Sequence, residues 1–333
     1  MTTQRLSEIA SRFPSQRILV IGDLMLDEYI WGKVSRISPE APVPVVQVTA
    51  ESYYPGGAAN VARNAREFTE HVAVVGVAGT DASGERLIEL LDKAGIDTSG
   101  LPRDAAAATT LKTRIIARNQ QVVRVDRDRR IALTGAQTER VMESLGRAIA
   151  QASGIIVADY GKGFVTQALA DFIVHSARAL GKVLTVDPHP HTSLVWRGTT
   201  AIKPNRAEAF LAAGLPQTAP VEPALEDHAL LEAVRHLRAL WQTESLLVTL
   251  GEQGVLLFHG DAPAYHAPAL AKDVFDVSGA GDTAIAALTL SLCAGASPQE
   301  AAEIANCASG IAVGKLGTAT VSPAELLAAC ARL

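Results

Sequence analysis

Near the C-terminal end, Asp276-Val277-Ser278-Gly279-Ala280-Gly281-Asp282 runs directly into an apolar, alanine-rich stretch that begins at Thr283. Two glycines around an alanine leave the backbone bare where it enters a helix. The amides of Gly279, Ala280 and Gly281, with the positive end of the helix dipole, can then face one anion. Asp282 falls in the first turn, where its carboxylate can take a proton from a hydroxyl attacking a phosphate held by those amides. Amides plus a base point to phosphoryl transfer to an alcohol. The plainer reading is a loop closed by an Asp cap.

Other polar residues fall at the ends of apolar runs. Arg17 to Gly22 reads as a buried parallel strand, so Asp23 stands where such sheets open on a ligand crevice. Gly56-Gly57 turns into an alanine-rich helix carrying Asn60, which offers a polyol both a donor and an acceptor. Asp159 and Lys162, Asp187, then Lys203, Asn205 and Glu208 follow later strands. Asn205 and Glu208 have the spacing of a capping box; in the functional alternative Asn205 meets a phosphate and Glu208 orients water on a magnesium ion. Thr249-Leu250-Gly251-Glu252-Gln253-Gly254 is a Gly-rich turn at which a nucleotide phosphate or ribose can lie. The sequence has no dinucleotide fingerprint, Walker loop, H-E-x-x-H, C-x-x-C or G-x-S-x-G motif, and His189-Pro190-His191 reads as a turn rather than a metal site.

From residue 154 strands and helices alternate, with strands at 154–158, 183–186 and 201–202 and helices at 166–180 and 205–213. This rhythm predicts a mainly parallel sheet with helices on both faces. Earlier, 72–77 reads as a buried strand and 83–93 as an amphipathic helix. Segments 28–50 and 108–126 alternate polar and apolar residues, the first broken by prolines and the second by a turn at Arg118-Asn119-Gln120. They predict a small β-lid on a single domain of 1–333, closing the site and pairing protomers as a homodimer. Its charges Lys112, Arg114, Arg118 and Arg124 read mainly as a solvated face. Helices at 297–314 and 322–333 each open with Ser-Pro.

The 333 residues are 48% hydrophobic with net charge -5, 30 basic against 35 acidic and well mixed. That composition builds a large core and leaves no basic stripe, which argues against nucleic acid. The three cysteines, Cys293, Cys307 and Cys330, lie in apolar stretches and read as buried thiols. No basic-then-apolar leader opens the sequence, and the longest apolar run, 284–296, is too short to span a bilayer. A cytoplasmic location is expected.

Gly22-Asp23, Gly56-Gly57 with Asn60, Asn205-x-x-Glu208, Thr249-x-Gly251-x-x-Gly254 and Asp276 to Asp282 follow one another as in the ribokinase-like (PfkB-type) carbohydrate kinases, which the whole chain resembles. The last motif is similar to that family's D-T-T-G-A-G-D signature, with Val277 and Ser278 in place of two threonines. The resemblance implies a ribokinase-like three-layer α/β fold with ATP and Mg²⁺ as cofactors. Asp282 would then be the base and the amides of 279–281 the anion hole. Asp23, Gly56, Gly57 and Asn60 would hold sugar hydroxyls, and Glu208 the magnesium through water. Asn205, Thr249, Gly251, Gly254 and Asn306 would serve the nucleotide, and Asp276 a monovalent cation such as K⁺.

Gly22 to Asp27, Ser35 to Val45, Pro55 to Ala62 and Asp159-Tyr160-Gly161-Lys162-Gly163 resemble more particularly the branch acting on D-glycero-β-D-manno-heptose 7-phosphate, whose product is the 1,7-bisphosphate. The 7-phosphate is expected at Lys162, then Arg36, and the lack of an H-x-G-H signature suggests the kinase-only form. Two alternatives stay open: another sugar kinase of this fold, acting on a fructose phosphate, ribose or a nucleoside, and a non-catalytic sugar- or nucleotide-binding regulator.

Overall fold

In the computed structural model, which describes residues 1–104, 108–118, 120–128, 130–270, 274–315 and 317–330, the run Ile18–Ile21 is buried on both sides. Ile18 and Val20 join one hydrophobic core and Leu19 and Ile21 another. This two-sided burial is why the segment is continuously apolar rather than alternating.

In chain order the elements are α1 (Thr3–Ala10), β1 (Arg17–Gly22), β2 (Leu24–Ile37), β3 (Pro44–Gly57), α2 (Ala58–Arg66), β4 (His71–Val75), β5 (Ala78–Gly79), α3 (Ala82–Lys93), β6 (Arg103–Asp104), β7 (Thr110–Ala117), β8 (Gln120–Arg127), α4 (Gly135–Gln151), β9 (Gly154–Ala158), α5 (Gln167–Ala179), β10 (Val183–Asp187), β11 (Ala201–Ile202), α6 (Arg206–Ala212), α7 (His228–Trp241), β12 (Ser245–Thr249), β13 (Val255–His259), β14 (Tyr265–Ala267), α8 (Ala280–Cys293), α9 (Pro298–Val313) and α10 (Pro323–Cys330).

An eight-stranded sheet has the order β14-β13-β12-β11-β10-β9-β1-β4 and is parallel from β12 to β4. β13 and β14 are antiparallel. Helices α1, α2, α3, α8, α9 and α10 contribute to the core on one face, and α4 to α7 to the core on the other. The fold is a mainly parallel sheet between helical layers, as the sequence rhythm predicts.

A second sheet, ordered β3-β2-β7-β8, contains most of segments 28–50 and 108–126. Asn119, at the expected hairpin turn, and residues 331–333 of the expected last helix lie outside the described residues. β3 is longer than its sequence suggests: Gly56 and Gly57 end a strand rather than form a free turn. Gly57 has φ +58° and ψ -134°, a conformation that suits glycine alone, and α2 starts on the next residue.

Candidate active site

The parallel strands end along one edge, delivering Asp159, Asp187, Lys203, Asn205 and Thr249 to a cavity of about 550 Å³ that Gly281 and Asp282 close from the other side. α8 begins there because Gly279, at φ +80°, turns the chain in the left-handed conformation. Of the three amides expected to form an anion hole, that of Ala280 donates to Val277 O at 3.3 Å. Among the described residues, those of Gly279 and Gly281 have no such acceptor.

Asp282 is gripped from two sides. Asn60 Nδ2 donates to Oδ2 at 2.6 Å and Tyr160 Oη donates to Oδ1 at 2.5 Å. Burial pushes its carboxyl up to about 6, while the hydrogen bonds from Tyr160 and Asn60 oppose the rise. Burial beside this carboxylate holds the Tyr160 phenol well above its ordinary range, so it stays a donor. Asn60 is itself buried, and its Oδ1 has no partner among the described residues. That orphaned acceptor points to a ligand hydroxyl.

Lys203 is a buried cation of the site. Its Nζ lies 3.0 Å from Asp187 Oδ2, and a Cβ added to Gly281 would sit 3.4 Å from it. Burial alone would discharge the amine, but Asp187 and Glu208 overcome this and keep it protonated. The ammonium group therefore stands at the N-terminal end of α8, beside the bare amides.

Asn205 and Glu208 form the capping box: Glu208 N donates to Asn205 Oδ1 at 2.9 Å and Asn205 N to Glu208 Oε2 at 2.7 Å. Both still line the cavity, as do Thr249 and Gly251. Gly254 packs against the backbone of 267–269, where Asn306 Nδ2 also donates to Pro268 O at 2.8 Å, so these two residues adjoin. Asp276 accepts from the amides of Ser278 (2.9 Å) and Gly317 (3.1 Å). Burial raises its carboxyl, but those amides outweigh it and hold the group below its usual range.

Three placements differ from expectation. Asp23 is fully buried and cannot meet a sugar; its carboxylate accepts from the amides of Tyr160, Lys162 and Phe164 at 3.0, 3.1 and 3.1 Å and anchors that loop. Lys162 Nζ is paired with Asp128 at 2.6 Å. Arg36 is exposed near the end of β2, roughly 30 Å along the strand from Asp27 at ~3.3 Å per residue. A second aspartate nearby, Asp27, is buried against Gly56 and bonded to Arg114 Nη1 at 2.5 Å. Arg114 also lies over the Tyr29 ring, so at least this lid charge turns inward. Asp187 and Lys203 carry in the sequence only their place after strands, with no role assigned; Tyr160 and Asp27 carry no assignment at all, their signals being the loop after β9 and the alternation along β2.

The donor set also bears on magnesium. Among the described residues no three His, Cys, Asp or Glu side chains are grouped to hold a metal ion. Carboxylates of Glu208, Asp187 and Asp282 line one cavity instead. This fits a hard cation carried mainly by phosphate oxygens and water.

The pfkB family carbohydrate kinase profile matches residues 15–325. The bifunctional protein HldE of Desulfatibacillum aliphaticivorans is 43% identical over 319 residues, covering 96% of this chain and 64% of that protein. The chain thus spans less than two thirds of that relative. Ribokinase from Arabidopsis thaliana, solved with ribose and ATP, superposes with a TM-score of 0.71 at 17% identity, covering 94% of this chain and 98% of its own. Phosphofructokinase-2 from Escherichia coli, solved with potassium, gives 0.73 at 21% identity, with 95% and 99% covered. At these identities the two structures establish the fold alone.

Proposed function

The chain belongs to the pfkB family of carbohydrate kinases and is an ATP-dependent sugar kinase; from that premise we propose that its acceptor is D-glycero-β-D-manno-heptose 7-phosphate, phosphorylated on the anomeric hydroxyl. The observation that carries the mechanism is the meeting of Asp282, the N-terminal end of α8 and Lys203 in one cavity. Support for the acceptor is the near full-chain similarity to HldE proteins, together with the loop Asp159-Tyr160-Gly161-Lys162-Gly163.

In this reading the acceptor hydroxyl donates to Asp282, with Asn60 Oδ1 and Asp27 accepting neighbouring sugar hydroxyls. Asp282 removes the proton as the oxygen attacks the γ-phosphorus, and the bond from that phosphorus to the β–γ bridging oxygen breaks to release ADP. The amides of Gly279 and Gly281, with Lys203, neutralise charge gathering on the transferred group. Asn205, Glu208, Thr249 and Gly251 hold the nucleotide side, and magnesium would be held by Glu208 through water, screening the phosphate oxygens. A K⁺ ion would belong to the Asp276 loop. Lys112, and Arg114 beside Asp27, are the cations proposed for the distal phosphate, Lys162 being paired with Asp128.

The second sheet acts as the lid. Val122, Val123 and Val125 of β8 are exposed, which suits pairing with a second copy. The described helices include none long and apolar enough to cross a membrane, and a cytoplasmic setting agrees with the free cysteines.

ADP release with Mg-ATP is compared for the heptose 7-phosphate, fructose 6-phosphate, ribose and adenosine, each with and without K⁺. Turnover of the heptose phosphate alone upholds the proposal. Preference for another acceptor overturns the substrate while leaving the family; no turnover with any overturns the catalytic reading.

A further inference from the structure

The carboxylate of an aspartate rotates freely about its last torsion unless its neighbours fix it. At Asp282 one donor sits on each oxygen, Asn60 from α2 and Tyr160 from the loop after β9. That loop is itself held firmly. Asp23 gathers three of its backbone amides, and Asp159 accepts from Gly161 N at 2.9 Å and from Thr192 Oγ1 at 2.7 Å. Burying a carboxylate is costly unless hydrogen bonds compensate it, and here three backbone amides do so, which fixes the loop they belong to.

We propose that Tyr160 is a positioning residue for the base: its hydroxyl fixes the plane of the Asp282 carboxylate, so that the remaining lone pairs point to where the acceptor hydroxyl lies. Asp23 acts one step further out, by holding the loop that presents Tyr160. The inference rests on the kinase reading, since it assigns Asp282 the proton.

Removal of the Tyr160 hydroxyl takes a donor from the anion and so raises the Asp282 carboxyl. The groups facing Asp282 are Tyr160 and Asn60, which stabilise the anion, Lys203, which also favours it, and Asp187, which opposes it; Asp27 lies further off, facing Tyr160. Loss of the Tyr160 donor leaves Asp282 protonated up to higher pH, so activity is lost at a higher pH on the acid side.

The test is Tyr160→Phe, which keeps the ring, with Asp282→Asn as reference and circular dichroism to establish folding. At pH 8 kcat is expected to fall on the order of tenfold, about the effect of one hydrogen bond, with acceptor KM within roughly threefold. The acid limb of kcat/KM should rise by roughly one pH unit. Infrared titration of the ligand-free protein, with the Asp282 band identified by its loss in Asp282→Asn, should move the same way. A folded variant whose acid limb and carboxyl titration stay at the wild-type position overturns the proposal, as does a change confined to KM. Should the wild type phosphorylate no acceptor, the kinase reading fails, while the infrared titration still decides the role of Tyr160.

Discussion

At the scale of single residues, the site depends on burial working against charge. Asp282 is held near 6, so it is largely anionic at neutral pH and still basic enough to accept a proton as the sugar oxygen attacks. Asp282→Asn should lower kcat by roughly 10²–10⁴-fold with ligand binding largely kept; a variant of near-native turnover would remove Asp282 as the base. Because the anion is the working form, kcat/KM should fall as pH drops through about 6, and a profile flat down to pH 4 would contradict this. Lys203→Met tests the cation beside α8. It should reduce kcat by roughly 10²-fold or more through lost phosphoryl stabilisation, and unchanged kcat would confine Lys203 to balancing Asp187.

At the scale of elements, α8 must be seated accurately, since a shift of its first turn moves base and amides together. Its residues 283–291 are all buried, mostly apolar with Thr283, Thr289 and Ser291 among them. One polar contact fixes it laterally on the sheet: Thr289 Oγ1 lies 2.6 Å from Thr185 Oγ1 of β10, both fully buried. Thr289→Val should cost about 1–3 kcal/mol by leaving a buried hydroxyl with fewer partners. The double variant with Thr185→Val should recover part of that loss. Urea unfolding of the three variants measures it, and additive losses would show that the pair is not coupled.

At the scale of the whole molecule, the second sheet projects from the first and leaves its β8 edge exposed. Valines 122, 123 and 125 lie exposed together on that strand. If this edge pairs two copies, Val123→Lys should dissociate the dimer in sedimentation velocity. A wild-type protein that is monomeric at every concentration would remove the idea.

Much of this was legible in the chain itself. The βαβ rhythm from residue 154, the unbroken apolar strands and the glycine-rich entry to α8 are local patterns, and local sterics with two-sided burial suffice to turn them into a layered parallel sheet with its ligand edge. Helices α4 and α7 are absent from the sequence reading, although Val141, Leu145 and Ile149, and Leu230, Ala233, Val234 and Leu237, repeat at the helical spacing that marks an amphipathic helix. The carboxylate proposed as the base was also legible, since an acid in the first turn after Gly-Ala-Gly is a sequence feature. Which residues surround it was not. Asn60 and Tyr160 are 222 and 122 residues from Asp282 in sequence. Asp23 and Asp27 look alike on paper, and only packing turned one toward backbone amides and the other toward Gly56 and Arg114. Lys203 acquired its meaning in the same way, from the helix that tertiary structure laid beside it: charge placement depends on distances through space, which spacing along the chain does not encode.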